Sequence, residues 1–137
     1  MNPAKLQLNQ YYFPHQEVRA NPAHDPSGFK NGAVVNFALN AGILSANTHQ
    51  HYVEIIAEVD ESASTNPAYF FKIQAFGLFT TDDSLTQDEA KALVAAHGSQ
   101  VLIGSIRDHL VSLTSRGPWG SIYLNVITLH MQPKMNA

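Results

Sequence analysis

The sequence contains no cysteine, which excludes disulfides, thiolate metal sites and a cysteine nucleophile and leaves the redox compartment open. Charged residues are also scarce, at 14% of the 137 residues against roughly one quarter in soluble domains. Part of the surface is therefore expected to be covered by another copy. The 8 Lys and Arg are scattered and outnumbered by 11 Asp and Glu, for a net charge of −3, so the cation cluster that neutralises phosphates is missing and nucleic acid is not an expected partner. No apolar run approaches membrane-spanning length, and Met1-Asn2-Pro3-Ala4-Lys5-Leu6 lacks the apolar core of a signal peptide. A cytoplasmic protein without membrane insertion is expected. The Gly-x-Ser-x-Gly turn of a nucleophile elbow is absent, and residues from Gly98 to Gly104 lack the glycine and lysine pattern of a phosphate loop. A chain of this length is the size of one domain, 1–137, and can bury its own core.

The first half reads as strands. Between Tyr52 and Asp60, Val53, Ile55, Ala57 and Val59 share one face, and Glu54, Glu58 and Asp60 share the other with Ile56. That alternation suits a sheet with one buried side. Ala68 to Phe79 repeats it with Tyr69, Phe71, Ile73, Ala75, Gly77 and Phe79, although Phe70, Phe76 and Leu78 break the polarity of the second face. Val34 to Ala41 places Val35, Phe37, Leu39 and Ala41 opposite Asn36 and Asn40, and an earlier extended segment from Leu6 to Val18 is interrupted by Pro14, which belongs at a sheet edge or a bend. A long loop from Asn21 to Gly32, with two prolines, two glycines and Phe29, separates the first two strands, and residues Ser62 to Pro67 suit a hairpin connection.

The second half turns helical. Thr86-Gln87-Asp88-Glu89 has the capping-box spacing, and Gly98 suits a left-handed helix end, with Ser99 capping the next helix. In that second helix Ile103, Ile106, Leu110 and Leu113, flanked by Leu102 and His109, form an apolar stripe, and Gly117-Pro118 ends it. Val101, Gly104 and Val111 fall on another side, so the helix is expected to lie between its own sheet and a partner subunit. The fold class is α+β: a four-stranded antiparallel sheet followed by a short and a long helix.

One enzyme-like pattern stands out. His49-Gln50-His51 with Glu54 is similar to the first metal motif of cupins, in which two His and a Glu hold a divalent ion. The His51 to Glu54 gap is shorter than in that motif and puts Glu54 on the opposite strand face from both imidazoles. The companion motif is also absent, because Pro118-Trp119-Gly120 is followed by Ser121-Ile122-Tyr123. The acidic pairs Asp82-Asp83 and Asp88-Glu89 sit where carboxylates meet a helix N-terminus, so capping accounts for them better than acid–base chemistry. No enzyme, metal or cofactor is expected.

Several features resemble the SecB family of export chaperones in type, order and approximate spacing, from about Phe29 to Leu124. Phe29, followed by the alternating Val34 to Leu39, stands where the family has an aromatic crossover loop and its second strand. Tyr52 to Glu61 resembles the third strand. Lys72-Ile73-Gln74-Ala75-Phe76-Gly77-Leu78-Phe79 is similar to the fourth, which closes on Gly, an aliphatic residue and Phe. Gln100 to Gly117 resembles the long helix, with Arg107-Asp108 inside it and Ser115-Arg116-Gly117 at its end. The chain departs from the family at Ile103-Gly104, where an aromatic-Pro pair is usual, and at Asn125-Val126-Ile127-Thr128-Leu129-His130, where a Pro-Val-Asn-Phe-like segment leads into a C-terminal helix.

The resemblance implies a SecB-like holdase that binds unfolded or precursor polypeptides in an aromatic groove, with Phe29, Phe37, Trp119 and Tyr123 as the client-binding candidates. Large aromatics of this kind otherwise build cores and subunit interfaces. The resemblance also implies a homotetramer made as a dimer of dimers, and a translocation motor docked on the acidic row Glu54, Glu58 and Asp60. An adaptor that uses the same fold to hold one dedicated partner is the alternative.

Overall fold

The computed structural model describes residues 5–27, 32–45, 49–124 and 131–135. Strands β1 (Leu6–Ala20), β2 (Val35–Ser45), β3 (Gln50–Val59) and β4 (Tyr69–Thr81) precede the helical run, and a short β5 (Met131–Met135) follows it. The five strands form one sheet in the order β1-β4-β3-β2-β5. β1–β4, β4–β3 and β3–β2 pair antiparallel, which is the expected four-stranded sheet, while β5 adds in parallel to the outer edge of β2.

Period-two patterning sets which face is buried. Val53, Ile55 and Ala57 of β3 and Ile73 and Ala75 of β4 lose all contact with solvent, while their intervening neighbours stay accessible on the opposite face. β1 lies at the free edge, and its register with β4 shifts at Leu8/Gln10 and again at Tyr12/His15. Pro14 falls inside the second irregularity, where a missing N–H costs no regular ladder bond.

The helical run is one continuous rod. It starts at Thr86, whose Oγ1 accepts from the Glu89 amide at 3.2 Å while the Glu89 carboxylate accepts from the Thr86 amide at 2.9 Å. α1 (Gln87–Leu93) then passes through a π-helical turn, Val94–Gly98, into α2 (Ser99–Thr114). Gly98 is therefore not a left-handed cap. Its backbone is right-handed helical, and the glycine is needed because the helix comes so close to the sheet that a Cβ there would lie 3.1 Å from Val53 Cγ2. Nor does Ser99 cap a new helix: its hydroxyl donates back to the Ala95 and Ala96 carbonyls, bonding that competes with regular helical pairing.

α2 lays Leu102, Ile103, Ile106, Leu110 and Thr114 onto the sheet, packed against Phe37, Leu39, Val53, Ile55, Phe71, Ile73 and Phe79. The buried seam ends on Thr114 and not on Leu113, which remains 41% exposed. Thr114 satisfies its buried hydroxyl by donating to the Leu110 carbonyl at 2.6 Å. Among the described residues no helix is long and apolar enough to cross a membrane.

Candidate functional site

Beyond α2 the chain forms a strap, residues 115–124, bound to the sheet by side chains distant in sequence. The Gly117 amide donates to the Thr114 carbonyl, and Gly120, at φ 77°, supplies the left-handed turn. The Tyr69 hydroxyl donates to the Gly120 carbonyl at 2.8 Å and accepts from the Trp119 amide at 3.1 Å. Trp119 Nε1 donates to the Asn21 carbonyl at 2.9 Å, and its ring meets His24 edge-on at 5.0 Å. Asn21 is itself buried, with Nδ2 donating to the Pro67 carbonyl at 2.7 Å and Oδ1 accepting from the Ala23 amide. The Ile122 amide then donates to Thr114 Oγ1 at 2.9 Å. Ile122 and Leu124 pack on the core, whereas Tyr123 between them is 74% exposed.

The four aromatic candidates thus occupy different environments. Phe37 is a core residue between β2 and α2, one of the two uses that large aromatics usually have. Trp119 is half-buried on the strap, Tyr123 projects into solvent, and Phe29 lies outside the described residues. Near that loop, Gly32 and Thr65 exchange backbone hydrogen bonds at 2.9 and 3.0 Å, and the Asn66 side-chain amide accepts from the Asp25 N–H and donates to the Asp25 carbonyl. The described residues on either side of Phe29 are therefore docked on the β3–β4 connection.

The acidic residues divide similarly. Glu54 accepts from Gln74 Nε2 at 2.7 Å, and Glu58 lies 3.9 Å from Lys72 Nζ, both on the sheet face opposite α2. Asp60 closes the turn after β3 by accepting from the Ser62 hydroxyl and amide and from the Ala63 amide. Those bonds, that of the Ser62 hydroxyl above all, hold its carboxyl below the ordinary value. The Asp60-Glu61-Ser62-Ala63 sequence carries the signal for this role, since an Asp side chain that bonds amides two and three residues ahead is a turn device.

The face opposite α2 also carries an aromatic group that the alternation only hinted at through Phe76. The Phe76 ring stacks on Tyr52 with centroids 5.7 Å apart and leans on Tyr12 at 5.4 Å. Gly42 makes room for it, because a Cβ at that position would come 2.6 Å from Tyr52 Cε1.

His51 and Glu54 lie on opposite faces of β3, as their spacing dictates. His51 is buried, with Nε2 3.4 Å from Thr81 Oγ1, beside a cavity of about 110 Å³ lined by Ile43, His49, Leu85, Gln87 and Ala90. Burial first, then the nearby His49 and Lys91, lowers the pKa of its imidazole. Among the described residues no group of three or more His, Cys, Asp or Glu is placed to hold a metal.

A sheet covered on one face by a single long helix, with a strap tied to the end of β1 and the start of β4, defines an α+β fold. The structure is similar to that of the Mycobacterium tuberculosis Rv1957 SecB-like chaperone, solved in complex with a ChAD peptide from the Rv1956 HigA1 antitoxin, with a TM-score of 0.67 and 18% identity over 90% of this chain and 91% of that one. A Streptococcus agalactiae protein of unknown function matches with a TM-score of 0.48 and 8% identity, over 88% of this chain and 96% of that one. No family model and no curated protein matches the sequence. The chain has the SecB-like fold.

Proposed function

We propose that this protein, as one SecB-like domain, is a chaperone that holds non-native polypeptides. The observation that carries this reading is the likeness, over nine tenths of both chains, to a SecB-like chaperone with a peptide from another protein bound to it. An unfolded segment offers apolar side chains and unpaired backbone groups, and an aromatic surface beside a sheet edge meets both needs without demanding one sequence. Trp119 and Tyr123 on the strap supply that surface, each with an apolar face and a polar tip, and Phe29 is assigned to it by the resemblance.

In the fuller form of the proposal the protein is cytoplasmic and assembles as a homotetramer, with the second side of α2, including the exposed Val101, at a subunit contact. Precursor polypeptides are its clients, and Glu54 and Glu58 are the carboxylates that meet a translocation motor, with Asp60 shaping the turn beside them. The adaptor reading has its own support, because the peptide held by the similar chaperone comes from one antitoxin.

Breadth of clients separates the two. Several unrelated, chemically unfolded proteins are diluted from denaturant with and without the protein, and aggregation is followed by light scattering. Delay for most of them supports a general holdase. Delay for none, together with tight binding of one folded partner, supports the adaptor.

A further inference from the structure

Most of the sheet is strongly held. β1 follows β4 from Leu6↔Thr81 to Ala20↔Tyr69, and β3 is paired on both sides. β5 is different. It covers only Phe37 to Ala41 of the 11-residue β2, in parallel pairing from Phe37↔Met131 to Ala41↔Met135. Parallel bonds are slanted and somewhat weaker per residue than antiparallel ones. The residue opposite Leu39 is Pro133, whose nitrogen faces away from β2 in a continuous parallel ladder, so the donors toward β2 are the amides of Gln132 and Lys134 alone. β5 therefore leaves both ends of the β2 edge unpaired by it and is held by few donors of its own.

We propose that the outer edge of β2 is a strand-addition site for an extended, proline-free polypeptide segment, and that β5 is a resident strand which such a segment displaces. This rests on the chaperone reading above and adds to it a binding mode and a built-in competitor. A segment that follows β2 from Val35 to Ser45 makes a longer ladder than β5. Alternate apolar residues suit it, because Phe37, Leu39 and Ala41 face the core while exposed Val34 and Leu44 flank the paired stretch. β5 meanwhile keeps a long edge from pairing with other chains indiscriminately. Being attached to the same chain, β5 competes at an effective concentration in the millimolar range, and client affinity falls by the fraction of time the edge is free, an effect of about tenfold.

The test uses the full chain, a variant ending at residue 130, and the full chain carrying Lys134→Pro. The probe is a fluorescein-labelled, proline-free peptide of alternating Val, Thr and Lys, read by anisotropy, with amide hydrogen exchange of residues 131–135 as the second readout. Expected are about tenfold tighter binding after truncation, tighter binding also by Lys134→Pro because the resident strand loses a donor toward β2, and faster exchange at 131–135 when peptide binds. Should the truncated chain fail to fold, Lys134→Pro and the exchange data decide. Equal affinities with unchanged protection at 131–135, in a protein that still delays client aggregation, overturn strand exchange and leave the chaperone reading standing. Failure of every form to bind peptide or unfolded client overturns both.

Discussion

The Tyr69 hydroxyl and the Trp119 amide lie 3.1 Å apart, joining the first residue of β4 to the strap 50 positions later. The same hydroxyl donates to the Gly120 carbonyl, so one oxygen fixes both sides of the strap's turn. Tyr69→Phe keeps the ring but leaves an amide and a carbonyl in a half-buried site without their partner. Loss of about 1 to 2 kcal/mol is expected, measured as a lower urea midpoint at constant m-value. Trp119 is the only tryptophan, and its fluorescence in the folded protein should shift to the red as the strap loosens.

Two glycines in the helical run predict opposite outcomes. Gly104 has nothing within 4 Å of a built Cβ, so Gly104→Ala should stabilise by up to about 1 kcal/mol through helix propensity alone. At Gly98 the added methyl meets Val53 and Phe79. Val53 is fully buried and stiff at χ1, so Gly98→Ala should lose about 1 to 3 kcal/mol by overpacking. Thermal and urea unfolding of the two variants check the contrast, and a stabilised Gly98→Ala would mean that the helix is not clamped to the sheet there.

The difference between these glycines shows where sequence reasoning reaches and where it stops. The facing of Val53, Ile55 and Ala57, the capping box at Thr86 and Glu89, and the edge position of Pro14 are all written locally, in periods and spacings that local physics enforces. The role of Gly98 is not. A glycine that follows a periodic apolar run carries the same signal whether it ends a helix or lets one approach a sheet. Only the position of Val53, 45 residues away by its number, separates the two. The π-helical turn at Val94–Gly98 lies just before the apolar stripe, and the buried seam closes on Thr114 instead of Leu113. β5 was illegible because Pro133 argues against a strand and its partner β2 lies far back in the chain. At the candidate site, Trp119 and Tyr123 were legible as conspicuous aromatics, while the partners of Trp119, Asn21 and Tyr69, come from distant segments.

Stability should fall in two steps on acidification. His51 and His109 both have pKa values held below the ordinary 6.5, chiefly by burial. The folded state therefore favours neutral imidazoles, so their contribution is intact above pH 6.5 and is lost as pH falls below it towards the folded values. Asp60 and Glu89 are held below their ordinary 3.8 and 4.5 by hydrogen bonds from Ser62 and from Thr86, respectively. Their contribution is present above those values and is lost as pH falls through the folded ones. Urea midpoints measured from pH 8 to pH 3 should be flat at first, decline below pH 6.5 and decline again below pH 4.5.

Tyr123 separates binding from folding. It is 74% exposed while Ile122 and Leu124 beside it pack on the core. Tyr123→Ala should therefore change stability by no more than about 0.5 kcal/mol. Client affinity should weaken severalfold, as seen in titration of a labelled unfolded protein. Unchanged affinity would remove Tyr123 from the client surface.

The most direct test of the chaperone account is size-exclusion chromatography with light scattering, run with and without a reduced, unfolded client protein. The account predicts a stable oligomer that retains the client and elutes with its added mass. An oligomer that lets the unfolded client pass would contradict it.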